Sequence, residues 1–343
     1  MLQPFLHKIA AREDLSAAEA RDALLVILSG QATTPQISAF LMGLRTKGET
    51  AEELLGFARA MREKAATMDV GLDSEPLLDT SGTGGDGGAT FNISTVAALV
   101  VAGAGVRVAK HGNRSFSSPC GSADLLEELG VQVSLGPERV AQAIRQIGIG
   151  FLFAPLLHPA MKHAQPARVE LKMRTVFNLL GPLTNPAGAT RQLIGAPSAE
   201  AAELMANALA GLGPEHAFVV HGSDGLDEIT TTGSTLVFEV TGSRVRSFTW
   251  TPADFGVPQA NREALRGGDR ACNASIATAI LRGQPGAQRD IVLVNSAAAL
   301  LAAGAAADLR EADLRDAMQR AAQSIDSGAA WTKLQQLAAF SHD

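Results

Sequence analysis

The chain has 343 residues, 46% of them hydrophobic, and a formal net charge of −6. This length has room for two domains, the acidic balance argues against a broad nucleic-acid-binding face, and two cysteines give no disulfide framework. Because the longest apolar runs fall short of the roughly 18 residues that a membrane helix needs, we expect a cytoplasmic protein without nucleic-acid or membrane partners.

The first 68 residues are predicted to be helical throughout. Ser16-x-x-Glu19 and Thr50-x-x-Glu53 are capping-box patterns, and Thr34-Pro35 predicts a cap followed by proline at the first helical position. Apolar residues recur at helical spacing between these signals. The segment has more apolar surface than a small bundle can hide, which favours packing against another subunit.

From about residue 73 the pattern becomes an alternation of strands, loops and helices, which is typical of a mainly parallel sheet. Residues 159–181 are predicted to be helical again, and helices dominate from residue 274 to the end. The predicted strands cover 77–80, 106–109, 131–134, 150–154, 192–196 and 217–221, with a hairpin over 235–240 and 245–249. The predicted helices between them cover 92–104, 122–129, 137–147 and 198–211.

The most informative segment is the run from Asp79 to Thr95, which places five glycines between the first strand and a long apolar helix. Glycine lets backbone N–H groups converge closely on an anion, and the N-terminus of the helix that follows attracts the same charge. Short polar side chains surround the run. It therefore predicts a phosphate-binding loop, with glycines at Gly82, Gly84, Gly85, Gly87 and Gly88 and donors at Thr90, Asn92, Ser94 and Thr95.

The spacing Gly82-x-Gly84-x-x-Gly87 also satisfies the dinucleotide fingerprint, but that site needs an acidic residue about 20 positions later. The next strand ends instead in the basic stretch Lys110-His-Gly-Asn-Arg114. Asp86 lies inside the loop, where its charge repels a bare pyrophosphate unless a cation lies between them. These features favour one highly charged, metal-bound ligand.

Several blocks in this order resemble the signature of the anthranilate phosphoribosyltransferase family. They are Gly82-Thr-Gly-Gly-Asp86, Asn92-Ile-Ser-Thr95, Lys110-His-Gly-Asn-Arg114, Gly121-Ser-Ala-Asp-Leu-Leu-Glu-Glu-Leu-Gly130, His158-Pro-Ala-Met-Lys-His163, Arg174-Thr-Val-Phe-Asn-Leu-Leu-Gly-Pro-Leu-Thr-Asn-Pro186 and His221-Gly-Ser-Asp-Gly-Leu-Asp-Glu228. Members transfer phosphoribose from phosphoribosyl pyrophosphate to the amine of anthranilate, in tryptophan biosynthesis.

The resemblance implies a small all-helical domain and a larger α/β domain of the nucleoside phosphorylase/phosphoribosyltransferase type, with a mainly parallel central sheet. The helical domain is expected over 1–72, completed by about 160–188, and the α/β domain over 73–159 and 189–343. The site is expected in the cleft between them. A homodimer through the helical domain is implied, whereas a glutamine amidotransferase partner stays open.

The same resemblance implies the site residues and two Mg²⁺ ions, a metal that binds through few protein oxygens and completes its shell with phosphate and water. Arg168 is expected to bind the anthranilate carboxylate, since a guanidinium fits a carboxylate in a planar pair. His111 is the candidate acceptor of the proton released in the reaction. The residues implied for phosphoribosyl pyrophosphate are Gly82, Gly85, Asp86, Thr90, Asn92, Ser94, Thr95, Lys110, His111, Gly112, Asn113, Arg114, Ser117, Ser118 and Ser122; those for anthranilate are Gly82, Asn113 and Arg168; those for the metal are Ser94, Asp227 and Glu228.

Other interpretations stay open at this point. Lys110 also fits a solvated charge, His111 a structural histidine and Arg168 a surface ion pair with Glu170, while Ser118 or Ser122 fits a helix cap. For the whole chain the alternatives are a nucleoside phosphorylase-like enzyme, which does not need the metal acids, and a non-catalytic relative that binds nucleic acid. One departure from the family pattern is Lys172-Met173, where glycine is common.

Overall fold

The computed structural model describes residues 1–71, 75–84, 90–115, 119–304 and 311–343. The predictions for Gly85, Asp86, Gly87, Gly88, Ser117 and Ser118 therefore lie outside the described residues. Within the described ranges no helix is long and apolar enough to cross a membrane.

Four helices form the N-terminal part: α1 (Gln3–Ala10), α2 (Ala17–Leu28), α3 (Thr34–Lys47) and α4 (Ala51–Lys64). The capping boxes at Ser16 and Thr50 are confirmed. The cap predicted for α3 was wrong by one residue, because Thr33 Oγ1 accepts the Gln36 N–H at 3.4 Å while the Gln36 side chain accepts the Thr33 N–H at 3.0 Å. This reciprocal pair makes Thr33 the cap and moves Thr34 into the helix.

A seven-stranded sheet forms the centre of the larger part, in the order β3-β2-β1-β4-β5-β6-β7. The first five strands in that order are parallel, and β6 and β7 close the far edge as an antiparallel hairpin. The fold class predicted from the sequence is thereby confirmed. The strands are β1 (Leu77–Gly82), β2 (Arg107–Gly112), β3 (Ile149–Phe153), β4 (Arg191–Gly195), β5 (His216–Gly222), β6 (Thr235–Thr241) and β7 (Arg244–Trp250).

The strand predicted over residues 131–134 was wrong, since this segment has no regular structure. Its alternating valines, Val131 and Val133, are buried in the core, but the Gln132 N–H donates to Ser341 Oγ at 2.8 Å and not to a neighbouring strand. The alternation that resembled a strand pattern thus places the valines in the core while the Gln132 backbone bonds to the C-terminal helix.

Helices cover both faces of the sheet. Between β1 and β3 the chain forms α5 (Ile93–Gly103), α6 (Ser122–Glu128) and α7 (Pro137–Ile147). A helical excursion between β3 and β4 contains α8 (Ala154–Leu157), α9 (Gln165–Leu171) and α10 (Phe177–Leu180). Helix α11 (Ala199–Ala210) follows β4, and four helices follow β7: α12 (Arg270–Leu281), α13 (Ala287–Ala303), α14 (Glu311–Asp326) and α15 (Ala329–His342). The apolar helix α5 lies in one core cluster with residues of α13 and α15.

The excursion between β3 and β4 packs on the N-terminal helices. Ala164, Ala167 and Phe177 belong to the same hydrophobic cluster as α2, α3 and α4, and α9 contacts α3 directly. This packing supports a helical domain built from two separate stretches of chain. Its exact boundaries stay a prediction.

Candidate functional site

The carboxyl ends of the parallel strands meet at one edge of the sheet, and two of those ends are glycines that leave room for a loop from β5. A Cβ on Gly82, the last residue of β1, would lie 2.7 Å from Asp227 Oδ2, and one on Gly195, the last residue of β4, would lie 1.7 Å from the Asp227 carbonyl oxygen. The loop carrying Asp227 therefore rests directly on the strand ends. Gly195 was missed in the sequence analysis because its role depends on this contact.

The predicted metal ligands are brought together at this edge. The Gly84 N–H donates to Asp227 Oδ2 at 2.8 Å, and the Ser94 N–H at the start of α5 donates to Glu228 Oε1 at 3.1 Å. The two carboxylates thus lie against the glycine loop and the first turn of α5, where main-chain N–H groups attract negative charge.

These oxygen atoms fit magnesium. Two carboxylates and the Ser94 hydroxyl are hard donors of the kind that Mg²⁺ prefers, and this ion keeps positions for phosphate and water. No group of three histidine, cysteine or acidic side chains suited to a metal occurs in the part of the chain that the structure describes. With two carboxylates and one hydroxyl as protein donors, the site is suited to an ion that also binds phosphate and water.

Lys110 is not a solvated charge, because its side chain is buried among acids. It is 3% exposed, and its Nζ donates to the Thr80 carbonyl and, at 3.4 Å, to Ser94 Oγ. Burial lowers the pKa of Lys110, whereas the charges of Asp79, Glu228 and Asp227 oppose that shift. The ammonium group lies beside the proposed metal ligands.

Asp79, the first residue of the glycine run, is a positioning residue that the sequence analysis left out. It is fully buried, and its Oδ1 accepts the His111 N–H at 3.0 Å. Burial raises the pKa of Asp79, and the nearby Lys110 opposes the rise. This carboxylate links β1 to the basic stretch on β2.

His111 faces His158, with their ring centroids 5.1 Å apart. His111 Nδ1 lies 3.0 Å from the Gly181 carbonyl oxygen, so we assign the ring proton to Nδ1 and an acceptor lone pair to Nε2. Burial lowers the pKa of His111 to about 4 and that of His158 to about 3. Both rings are neutral at pH 7. Among the described residues, His111 Nε2 and both ring nitrogens of His158 have no hydrogen-bond partner.

Arg168 does not form the surface ion pair with Glu170. Its guanidinium lies 5.3 Å from the centroid of the Phe177 ring, and no ion pair to it occurs within the described ranges. Burial lowers the pKa of Arg168, and no acid opposes the shift. Such a cation is suited to an incoming carboxylate.

A second arginine of the excursion reaches the glycine loop. Arg174 Nη1 donates to the Gly84 carbonyl at 2.7 Å and Nη2 to the Thr83 carbonyl at 3.1 Å. Two residues earlier, Lys172 ends α9 with φ of 47°, a conformation that costs a side-chain-bearing residue energy. The departure at Lys172 thus lies at the bend that directs the Arg174 side chain toward the glycine loop.

The loop after β2 is held by acids and by Ser122. Arg114 pairs with both Asp124 and Glu127, and Ser122 Oγ donates to the Asn113 carbonyl at 3.1 Å. Ser122 is therefore not the cap of α6: the cap is Gly121, whose N–H donates to Asp124 at 2.9 Å. A Cβ on Gly112 would lie 2.3 Å from Ser122 Oγ and 2.7 Å from the Phe151 ring, so a side chain there would displace one or both of them.

Asn92 and Thr90 are bound to the other loops. Asn92 Nδ2 donates to the Cys120 carbonyl at 3.0 Å, and its Oδ1 accepts from Asn273 at 3.1 Å. Thr90 forms an isolated antiparallel bridge with Arg266. Thr95 is buried in the first turns of α5. The glycine run is thus tied at its end to both neighbouring loops.

A separate cleft of about 660 Å³ lies where α4, α7 and the loop before β4 meet. Arg62, Asp69, Glu138 and Arg145 belong to its wall. It contains none of the predicted site residues, so the strand ends, where the acids and the glycine loop meet, are the better candidate for chemistry.

Two family models match the chain. The a/b domain of the glycosyl transferase family matches residues 74–331, and the helical bundle domain of the same family matches residues 3–65. A curated relative, the anthranilate phosphoribosyltransferase of Solibacter usitatus, is 60% identical over 99% of this chain and 98% of its own length.

Solved structures agree. The anthranilate phosphoribosyltransferase of Thermus thermophilus has a TM-score of 0.91 at 42% identity, covering 98% of this chain and 99% of its own. The enzyme from Saccharomyces cerevisiae, in complex with phosphoribosyl pyrophosphate and magnesium, has a TM-score of 0.90 at 29% identity over 99% and 98%; a further structure of it contains 4-fluoroanthranilate, with a TM-score of 0.88 at 29% identity over 99% and 97%.

The resemblance read from the motif blocks is confirmed along the full length of the chain. Sequence identity, the two family models and the fold agree with one another. The chain belongs to the anthranilate phosphoribosyltransferase family.

Proposed function

We propose that this chain transfers the 5-phosphoribosyl group from phosphoribosyl pyrophosphate to the amine of anthranilate. The products are N-(5-phosphoribosyl)anthranilate and pyrophosphate, and the step belongs to tryptophan biosynthesis. Full-length identity of 60% to a curated enzyme of this activity supports the proposal. One structural observation carries it: Asp227 and Glu228 accept hydrogen bonds from the N–H groups of Gly84 and Ser94, so the acids and the phosphate loop share one place.

The phosphate groups are proposed to bind between the glycine loop and the loop after β2. Each charge-assisted hydrogen bond contributes about 1.5–3 kcal/mol, against about 0.3–1 kcal/mol for a helix dipole at an exposed terminus. Specific donors therefore outweigh the dipole of α5 in setting affinity. The proposed residues are those implied for phosphoribosyl pyrophosphate above, from Gly82 to Ser122, of which Asn92, Arg114 and Ser122 also hold the loops in shape.

Asp227, Glu228 and Ser94 are the proposed ligands of magnesium, with two ions proposed. Magnesium, when bound, would neutralise the pyrophosphate as it leaves. Lys110 Nζ, 3.4 Å from Ser94 Oγ, adds a hydrogen-bond donor at the same place. These groups stabilise charge that grows during the reaction, which is where an enzyme gains most.

Anthranilate is proposed to bind through Arg168, with Asn113 and Gly82 as further contacts. The guanidinium of the half-buried Arg168 lies over the Phe177 ring, and no acid within the described ranges opposes the lowering of its pKa. A carboxylate accepts two parallel N–H bonds from a guanidinium. The carboxylate ortho to the amine would thus orient the nucleophile.

In the reaction, the amine lone pair forms the N–C1 bond while the C1–O bond to pyrophosphate breaks and its electrons leave with that oxygen. The nitrogen becomes positively charged and must then lose a proton. His111 Nε2 is a neutral acceptor because its Nδ1 is directed at the Gly181 carbonyl. Its lowered pKa of about 4 makes it a weak base, and a weak base is sufficient for so acidic a proton.

The direct test mixes the protein with Mg²⁺, anthranilate and phosphoribosyl pyrophosphate and follows the loss of anthranilate fluorescence. We expect loss that requires all three additions and is abolished in Asp227→Asn and Glu228→Gln. Phosphorolysis of a nucleoside without metal would favour the phosphorylase alternative, and a salt-dependent gel shift with plain DNA would favour the nucleic-acid-binding one.

Assembly is a separate proposal. A homodimer through the N-terminal helices is proposed from their apolar surface and the family resemblance. Sedimentation of the purified protein at micromolar concentration tests it, and a monomer under those conditions would contradict it.

A further inference from the structure

Asn295 is a polar residue in the middle of α13, a helix of the larger part that is buried continuously from Ile291 to Ala303. It lies on α13, its side chain is completely buried, and its neighbours Val294 and Ala297 belong to the hydrophobic core. An amide buried in apolar surroundings is unfavourable unless its hydrogen bonds are satisfied. Its partners therefore indicate what the residue is for.

All but one of those bonds go to a single residue in a loop. The Ile229 N–H donates to Asn295 Oδ1 at 2.9 Å, and Asn295 Nδ2 donates to the Ile229 carbonyl at 2.9 Å. The second Nδ2 proton goes to the Ile291 carbonyl on the same helix, also at 2.9 Å. The side-chain amide thus pairs with Ile229 as a neighbouring strand would, although Ile229 lies outside the sheet.

Ile229 directly follows the two acids of the site. Its side chain is 1% exposed, so the loop is anchored in the core immediately after Asp227 and Glu228. On the other side of the acids, the Gly222 N–H donates to the Leu226 carbonyl at 2.8 Å. The carboxylates are held between one bond at the end of β5 and the paired bonds to Asn295.

We propose that Asn295 is a positioning residue for the metal-binding carboxylates, acting through the Ile229 peptide. The inference rests on the proposed metal role of Asp227 and Glu228. Groups that orient metal ligands without touching the metal commonly change affinity by about 10–100-fold when they are removed. Asn295 reaches the ligands through the backbone, one residue from Glu228.

The test compares Asn295→Leu with a matched control on the same helix, Ser296→Ala. Leucine keeps the approximate volume and removes both bonds to Ile229. Ser296 is equally buried, and its Oγ has no hydrogen-bond partner among the described residues. The control therefore alters a polar core position without releasing the loop.

Two readouts need no turnover. In metal-free protein, hydrogen–deuterium exchange of the peptide containing Ile229 should become faster in Asn295→Leu and stay unchanged in Ser296→Ala. With phosphoribosyl pyrophosphate but no anthranilate, Mn²⁺ binding followed by loss of the free-ion paramagnetic resonance signal should weaken at least about tenfold. Unchanged Mn²⁺ affinity in folded Asn295→Leu would overturn the proposal.

Kinetics separate positioning from a general loss of folded enzyme. The Mg²⁺ concentration at half-maximal rate should rise in Asn295→Leu while the anthranilate KM changes less than about twofold. A lower rate with both values unchanged would assign Asn295 a purely structural role. If Asn295→Leu does not fold, Asn295→Asp keeps the volume and the acceptor for the Ile229 N–H, and the same comparison decides.

An Asp227→Asn variant distinguishes a wrong metal assignment from a wrong role for Asn295. If Asp227→Asn keeps wild-type Mn²⁺ affinity, the metal assignment itself is wrong. If Asp227→Asn loses Mn²⁺ binding and Asn295→Leu keeps it, only the role of Asn295 is wrong.

Discussion

Substituting Gly195 by alanine tests whether the strand ends set the position of the metal loop. The added Cβ would lie 1.7 Å from the Asp227 carbonyl oxygen and 2.6 Å from its carbonyl carbon, and real contacts of this kind are essentially never below 3.0 Å, so the backbone of Asp227 must retreat by about 1.3 Å. Backbone atoms cannot rotate away as a side chain would.

The expected effect follows from that displacement. Misplacing a catalytic group by about 1 Å commonly costs about 100-fold in rate, equivalent to about 2.7 kcal/mol. Overpacking costs about 1–3 kcal/mol of stability. We therefore expect a folded but less stable variant whose Mg²⁺-dependent loss of anthranilate fluorescence is slowed about 100-fold.

Gly136→Ala is the matched control, because a Cβ there meets nothing within 4 Å and the residue has the ordinary φ of −68° at the start of α7. It should behave as the wild type. Circular dichroism and thermal melts of both variants separate misplacement from unfolding. A wild-type rate in Gly195→Ala would refute the contact between β4 and the metal loop.

Three further predictions concern the excursion between β3 and β4 and the buried histidines. Arg168→Lys keeps the charge but loses the planar pair of donors, so the anthranilate KM should rise at least about tenfold while the phosphoribosyl pyrophosphate KM stays nearly constant; equal increases would misplace the anthranilate pocket. Lys172 has a left-handed φ of 47°, a strain of about 1 kcal/mol that Lys172→Gly removes. Because glycine also adds flexibility to the unfolded chain, urea denaturation should show only a small gain in stability. A loss of stability would contradict the strain. The pKa values of His111 and His158 are lowered to about 4 and about 3, so the unfolded chain binds protons first as the pH falls below about 6.5. The stability of the folded protein should therefore be full above that pH and decline toward pH 4. In urea denaturation at pH 5 and pH 7.5, His158→Gln should show a smaller decline than the wild type.

Local signals in the sequence were sufficient for most elements. The capping boxes at Ser16 and Thr50 lie where the helices begin, because the bonds that form them span only three residues. The glycine run after β1 predicts a phosphate-binding loop for the same reason, because backbone freedom at glycine and a helix N-terminus are properties of a short stretch of chain. Where a local pattern had two solutions, as at Val131 and Val133, the sequence alone chose the wrong one.

The burial of Lys110 could not be predicted from its neighbours in the chain. A lysine between an alanine and a histidine gives no sign that Asp79, Asp227 and Glu228 surround it, because those acids come from other strands and loops. The same limit applied to Arg168: that no acid among the described residues pairs with it depends on how the excursion packs. Charge balance in a pocket depends on which distant segments meet.

By itself, the sequence determined the order of most helices and strands, the family and the residue types that can hold phosphate, metal and a carboxylate. Those properties depend on neighbours within a few positions or on motifs in a fixed order. Only the tertiary structure decided that Gly195 must lack a side chain, that Arg174 holds the glycine loop, and that Asn295 pairs with Ile229. Each of these contacts joins residues far apart in the chain, so it forms only when the folded sheet brings its strand ends and loops together.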